Sequence, residues 1–274
     1  MIDLDRVAIV GNGYIGSRLR QKFGKAITHP ERVDTKSVSS LKSYVERQKP
    51  NLIINAAGYS GSVNVDSCEE DATKTFEENV ELVSRLCIVT KAYDIPLHHI
   101  STGCVFNGML IKETDQPNLT HGNYRRSKLE AEGIINEVVP ESSVIWRIRM
   151  PFDGRRSPRN LFTKLLKYDT LALGDNSLTS VTDLRDMLEK AVQGIPSGTY
   201  NAVNLGSYTN PEIVKLLGKT EFDVIKPDQL ETVTPRSFCT LSCEKLLRLG
   251  LALPPVYRSL GRDAATYTAN EGKG

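Results

Sequence analysis

"RVAIVGNGYIG", residues 6–16, runs from four apolar residues, Val7 to Val10, into three glycines set as G-x-G-x-x-G. The apolar run is short enough for a buried strand, and the spacing predicts a helix from about Tyr14. Gly11, Gly13 and Gly16 then fall where a strand turns tightly into a helix. Glycine there permits the turn, lets a pyrophosphate approach the backbone, and lets the helix pack closely. The first N–H groups of such a helix are open to phosphate oxygens. A purely structural glycine turn is the other reading, so the rest of the chain must supply context.

Working outward, apolar runs alternate with amphipathic stretches. "AIT" (26–28) reads as a weak second strand and "LKSYVERQ" as a helix. "NLIINAAG", "PLHHIS" and "SVIWRIR" read as strands, "TFEENVELVSRLCIVTKAYD" and "NYRRSKLEAEGIINEV" as helices. "SVTDLRDMLEKAVQ" gives a later helix and "GTYNAVN" a last strand. Strands alternating with helices specify a parallel sheet covered on both faces. The expected fold is α/β: a Rossmann-type doubly wound parallel sheet with a smaller lobe. The first domain is expected over 1–150, completed by about 178–204. The less regular 151–177 and 205–274 are expected to form the lobe.

Bulk properties narrow the class. Thirty-five basic against 33 acidic residues give a net charge of +2 with no basic stripe, so nucleic acid is not expected as a partner. No apolar run approaches the roughly 20 residues of a membrane span. The opening "MIDLDRVAIV" is acidic and leads directly into a strand, unlike a secretory leader. Five scattered cysteines, with no second pair to complete a zinc site, are expected to be reduced thiols in a cytoplasmic protein. No metal is expected, including at His98 and His99. Trp146 and Cys68 read as core, and the final "TANEGKG" as frayed.

Three features carry chemistry. NAD-binding turns usually meet an acid about 20 residues on; here that neighbourhood is "ITHPERVD", with His29 and Arg32. A positive residue there suits a 2′-phosphate, favouring NADPH with NADH as the alternative; solvated surface charge is the bland reading. Tyr124 and Lys128 lie four apart on one helix face. An ammonium near a phenol stabilises phenolate, which makes Tyr124 a proton donor to a carbonyl. Thr102 ends a strand at the carboxyl edge where open α/β sheets bind ligands.

In that order and spacing the chain resembles an extended short-chain dehydrogenase/reductase. More narrowly, it is similar to dTDP-4-dehydrorhamnose reductases and to plant-type nucleotide-rhamnose synthase/epimerase-reductases. The blocks are "NAAGYSGSVNVDSCEE" (55–70), "STGCVFNG" (101–108), "IKETDQPN" (111–118), "YRRSKLEAE" (124–132), "WRIRMP" (146–151), "SPRNLFTKLLKY" (157–168) and "TPRS" (234–237). The glycine turn departs from the family's G-x-x-G-x-x-G by one residue. The resemblance implies Thr102, Tyr124 and Lys128 as the reductase triad. It implies a cofactor site of Gly11, Gly13, Tyr14, Ile15, Gly16, Arg32, Asp34, Thr35, Ala56, Ala57, Gly58 and Tyr59, with Tyr124 and Lys128. Asn64, Asn160 and Arg236 are implied at the substrate, with Pro158 and Arg159 in the same covering loop as Asn160.

The resemblance also gives Cys104 a role. A 4-keto group acidifies the hydrogens at C3 and C5, and inverting those centres takes a base and an acid. Cys104 stands two residues after Thr102, where the epimerase-reductases carry a cysteine, and Lys164 matches their lysine partner. The pair is expected to meet across a cleft, one residue from each domain. Buried filler is the alternative for Cys104 and a solvated helix lysine for Lys164. The implied activity is a 3,5-epimerase/4-reductase acting on a UDP- or dTDP-linked 4-keto-6-deoxyglucose. A 4-reductase alone and a non-catalytic regulatory subunit are the alternatives, and a homodimer is the assembly left open.

Overall fold

The computed structural model describes residues 2–23 and 33–270. The strand expected at 26–28, with His29 and Arg32, lies outside the described residues. Contacts divide the chain into two compact units. The first holds 1–102, 120–146 and 188–200; the second holds 103–119, 147–187 and 201–274.

The first unit is built on a five-stranded sheet: β1 (Val7–Val10), β2 (Leu52–Asn55), β3 (Leu97–Thr102), β4 (Ser143–Ile148) and β5 (Gly198–Asn201), hydrogen-bonded in that order. β1 pairs parallel with β2, Ile9 opposite Ile54, and β2 with β3, Ile54 opposite His98. Every residue of β1 to β4 is buried. Strands covered on both faces read as apolar runs rather than alternating ones, as β1 and β2 do, whereas β3 also buries His98, His99, Ser101 and Thr102. The helix Val38–Gln48 starts at Ser37, whose hydroxyl accepts from the Ser40 N–H, and stops at Lys49 in the left-handed conformation. Its Leu41 and Val45 pack in one core with Val83, Leu86 and Val89 of the helix Leu82–Tyr93, and with Ala131 and Ile135 of the helix Asn123–Val138. Ala8, Ile53, Leu97 and Ile145 close that core from the sheet. Trp146 is fully buried in the same unit, edge-on to His98 at 5.7 Å. Cys68 is buried as well.

The long helix expected over 75–94 is not uniform. It is helical at Ala72–Phe76, widens to a π turn over Glu77–Glu81, and resumes at Leu82. The wide turn contains Asn79, whose amide bonds the Tyr59 backbone on both sides, accepting from its N–H at 2.7 Å and donating to its C=O at 2.9 Å. π turns of this kind are frequent at functional sites.

The second unit has paired short strands around a separate core. Gly108–Ile111 pairs with Cys239–Leu241, and Thr170–Ala172 with Asp223–Ile225, both parallel. Phe152, Phe162, Leu178, Ile213, Leu260 and Tyr267 form the centre. Phe152 stacks on Phe162 at 5.2 Å, and Tyr267 meets Phe162 edge-on at 5.5 Å. Residues 103–119, expected with the first domain, belong here because the Gly108–Ile111 strand is zipped to 239–241 and the Leu119 N–H donates to Val105 O. Residues 147–150, 178–187 and 201–204, also expected with the first domain, fall in this unit by their contacts. The last helix runs Val256–Ala269, so the expected fraying does not include Thr268 and Ala269; 271–274 lie outside the described residues.

Among the described residues no helix is long and apolar enough to cross a membrane, and no cluster of His, Cys, Asp and Glu suits a metal ion.

Candidate active site

The glycine turn is built as its spacing requires. Gly11 has φ +103°, and a Cβ there would lie 2.5 Å from the Ala57 nitrogen. A Cβ on Gly16 would lie 2.2 Å from Gly11 O, so the helix Tyr14–Leu19 is packed against the turn with no room for a side chain. Gly13 differs: nothing lies within 4 Å of its hypothetical Cβ. Two glycines are thus demanded by the protein's own packing, while the third faces open space. That open face, between exposed Asn12 and half-buried Tyr14, suits a phosphate group. The loop after β2 is fixed beside it: Ala56 N–H donates to Val10 O at 2.8 Å, and Ala57 N–H to Asn55 Oδ1 at 3.0 Å. Arg20, absent from the sequence expectations, ties the turn down by donating to Asn12 Oδ1 and Gly11 O at 2.6 and 3.1 Å. Tyr14 and Ile15 are half-buried in the first helical turn, Gly58 and Asp34 are exposed, and Thr35 is half-buried, its carbonyl accepting from Arg85 at 3.4 Å. Tyr59 O–H donates to Asp71 at 2.5 Å, which raises the phenol above its ordinary value. Asn64 Oδ1 accepts from the Asp66 N–H at 2.8 Å, closing a turn.

Thr102 is the last residue of β3 and is buried at its carboxyl end. Tyr124 lies half-buried in the first turn of its helix, and Lys128, one turn on, is 5% exposed. Lys128 Nζ donates to Ile100 O at 2.9 Å and lies 3.2 Å from His99 Nε2. His99 Nδ1 in turn lies 3.0 Å from Asn55 Nδ2. Burial pushes the Lys128 ammonium down from 10.5 to about 8, with the Glu132 charge opposing, and burial pushes both His98 and His99 down. Ser127, between Tyr124 and Lys128, accepts from Asn79 Nδ2 at 2.9 Å. The π turn therefore braces the helix that carries the Tyr–Lys pair.

In the second unit, Cys104 is half-buried, whereas the other four cysteines are buried. Arg149, 1% exposed, donates to Cys104 Sγ at 3.6 Å. Its guanidinium is held by Ser237 Oγ at 2.8 Å, Ser237 O at 2.6 Å and Asn176 Oδ1. Bonds to both terminal nitrogens offset part of the several kcal/mol that burying a guanidinium costs, while its buried Nε has no hydrogen-bond partner among the described residues. Lys164 lies on the short helix Leu161–Leu165. Burial lowers its ammonium from the ordinary value; Arg159 and Arg236 lower it further, and a charge on Cys104 opposes them. Cys104 and Lys164 were expected on opposite units, and both belong to the second. Asn160, expected at the sugar, is fully buried. It caps that helix by accepting from Phe162 N–H at 3.0 Å, and its Nδ2 donates to Asp153 O and Arg155 O, each at 2.8 Å. Its amide is consumed internally, so it holds the loop that carries Pro158 and Arg159. Arg236 is half-buried in the segment leading to Ser237.

Sequence reasoning missed Arg149, His99 as a partner of Lys128, and Asn79. One signal existed for the first: "WRIRMP" places a second arginine at the end of an otherwise apolar strand.

The model of the RmlD substrate binding domain family matches residues 6–259. A trifunctional UDP-glucose 4,6-dehydratase/UDP-4-keto-6-deoxy-D-glucose 3,5-epimerase/UDP-4-keto-L-rhamnose-reductase of Arabidopsis thaliana, RHM3, is 30% identical over 188 residues, 65% of this chain and 28% of that protein. A bifunctional dTDP-4-dehydrorhamnose 3,5-epimerase/dTDP-4-dehydrorhamnose reductase of the same plant is 29% identical over 187 residues, 65% of this chain and 62% of its own. The match thus spans under a third of the first relative and under two thirds of the second. Among solved structures, the L780 UDP-rhamnose synthase of Acanthamoeba polyphaga mimivirus superposes with a TM-score of 0.85 at 20% identity, covering 95% of this chain and 98% of that one.

Proposed function

Because the chain belongs to the RmlD substrate binding domain family, we propose that it is a nucleotide-sugar 4-reductase that also epimerises C3 and C5 of its substrate, an NDP-4-keto-6-deoxyglucose. The observation that carries the reductase half is the set Thr102, Tyr124 and Lys128 in one unit with the open face at Gly13. The residues fit a dinucleotide: two glycines are occupied by packing and the third leaves a backbone cradle. NADPH, when bound, supplies the hydride for the carbonyl carbon. Gly11, Gly13 and Gly16 would hold its pyrophosphate, with Ala56, Ala57 and Gly58 beside it. Tyr124 donates its phenolic proton to the C4 oxygen, Thr102 orients that oxygen, and Lys128 restores the proton to Tyr124. General acid catalysis of this kind contributes about 10²–10⁴-fold.

The epimerase half rests on the half-buried Cys104 beside a fixed cation. Arg149 offers its N–H to the sulfur at 3.6 Å, and burial lowers the Lys164 ammonium while Cys104 opposes that lowering. Cys104 takes the acidified proton from the carbon next to the ketone, and Lys164 returns one. Thiolate is the base form, and a nearby cation favours such reactivity in general. The two Arabidopsis thaliana relatives are named for both the 3,5-epimerase and the reductase activity, which supports the joint reading.

Incubating the protein with NADPH and either UDP- or dTDP-4-keto-6-deoxyglucose tests the proposal. Loss of reduced-nicotinamide absorbance that depends on the sugar nucleotide is the expected result, and the faster of the two identifies the base. No oxidation with either ketone would remove the reductase reading.

A further inference from the structure

The direction of hydrogen bonding can be followed from the backbone into the core. Ala57 N–H is a donor without ambiguity, and it meets Asn55 at 3.0 Å through Oδ1. Its donation therefore fixes which end of the Asn55 amide is oxygen. The NH₂ end must then face His99 Nδ1, 3.0 Å away. An NH₂ group only donates, so Nδ1 must accept and carries no proton. Neutral imidazole keeps one proton, which falls on Nε2. Nε2 lies 3.2 Å from Lys128 Nζ. All three side chains are at most 5% exposed, so water does not resolve the arrangement.

We propose that Asn55 locks His99 as the Nε2–H tautomer, which presents an N–H rather than a lone pair to Lys128 and makes Asn55 and His99 positioning residues for proton delivery to Tyr124. An ammonium at Lys128 faces a donor on this side and bonds only Ile100 O among these neighbours. A neutral amine satisfies everything: it accepts from Nε2–H and donates to Ile100 O. The arrangement thus favours release of a Lys128 proton. The charged and titratable groups around it are His99 on β3, Tyr124 one turn before it, and Glu132 one turn after. Glu132 opposes the effect, but its Oε1 already accepts from Ser101 Oγ at 2.5 Å. The shift of Lys128 to about 8 agrees in direction. After Tyr124 gives its proton to the C4 oxygen, the phenolate needs one back. The Lys128 ammonium supplies it: the Nζ–H bond breaks, the Tyr124 O–H bond forms, and no redox change occurs. This step rests on the reductase reading; the tautomer does not.

The test is nitrogen NMR of the full chain, in the absence of substrate, with histidine labelled at both ring nitrogens. His99 is identified among four histidines by the loss of its signals in His99→Gln. At pH 7.5 the expected result is an unprotonated Nδ1 and a protonated Nε2. In Asn55→Asp, a carboxylate acceptor replaces the NH₂ donor, and Nδ1 should become protonated. A protonated Nδ1 in the wild-type protein overturns the proposal, as does an unchanged His99 in a folded Asn55→Asp. If Asn55→Asp does not fold, the wild-type spectrum decides alone. The kinetic consequence is read separately: NADPH-dependent reduction should fall as pH rises through about 8, and the falling limb should move to higher pH in Asn55→Asp. Absence of reduction at every pH, with the expected tautomer present, would count against the reductase reading and leave the tautomer intact.

Discussion

Replacing Tyr124 by Phe removes one oxygen from a half-buried ring and leaves the helix around it unchanged. The 4-reduction should drop about 10²–10⁴-fold, while cofactor affinity, measured by fluorescence titration, stays within a few-fold. Turnover near wild type would take Tyr124 out of the mechanism. Cys104→Ser keeps the shape and loses the thiol, so exchange of the C3 and C5 hydrogens should cease while direct reduction of the unepimerised ketone persists. Lys164→Met should also impair exchange, at one or both centres. If Cys104→Ser exchanges at the wild-type rate, the thiol is filler. Thr102, Tyr124, Lys128 and Cys104 were all legible in the sequence, because their chemistry is expressed as short spacings. Asn55, His99 and Arg149 were not. Asn55 and His99 are 44 positions apart, and only parallel pairing of β2 with β3 makes them neighbours. Arg149 meets Ser237 across 88 positions.

At the level of elements, the glycine turn separates packing from binding. Gly11→Ala puts a side chain at φ +103° and 2.5 Å from Ala57 N, so the turn must rearrange. The protein should lose more than about 1–3 kcal/mol of stability and its cofactor affinity together. Gly13→Ala meets nothing within 4 Å and should change stability by no more than about 1 kcal/mol, yet weaken cofactor binding. Denaturant unfolding beside cofactor titration distinguishes the two; equal affinity in Gly13→Ala would place the phosphate elsewhere. The helix Asn123–Val138 carries a second prediction. Lys128 falls to about 8 on burial from 10.5 in the open chain, so the unfolded state holds this proton more tightly. Stability from this group is therefore lowest below pH 8, recovers as pH rises from 8 to 10.5, and is fully recovered above. Lys128→Met should raise the unfolding free energy at pH 7 by up to roughly 3 kcal/mol, seen as a higher Tm, and the gain should vanish near pH 10.5. A lower Tm at pH 7 would show that the bond to Ile100 O outweighs the burial cost. Strands and helices of the first unit were readable because burial on both faces writes apolar runs into the sequence. The π turn at Glu77–Glu81 was not, since it depends on Asn79 reaching the Tyr59 backbone.

For the whole molecule, the two units divide the proposed chemistry. The dinucleotide cradle and the Tyr–Lys pair belong to the first, and Cys104, Arg149 and Lys164 to the second. The chain crosses from one to the other between Thr102 and Gly103, so Thr102, proposed to orient the ketone oxygen, and Cys104, the proposed base, are two residues apart in sequence. Unit boundaries were poorly legible, because the 103–119 segment is assigned by a strand partner more than 120 positions away. The basic neighbourhood of His29 and Arg32 supports tighter binding of NADPH than NADH, which competitive titration measures. The claim that one chain both epimerises and reduces is tested most directly by proton NMR of the reaction in deuterium oxide, with NADPH and the preferred NDP-4-keto-6-deoxyglucose. The account predicts a rhamnose-configured product carrying deuterium at C3 and C5. A reduced product with hydrogen retained at both centres would contradict it.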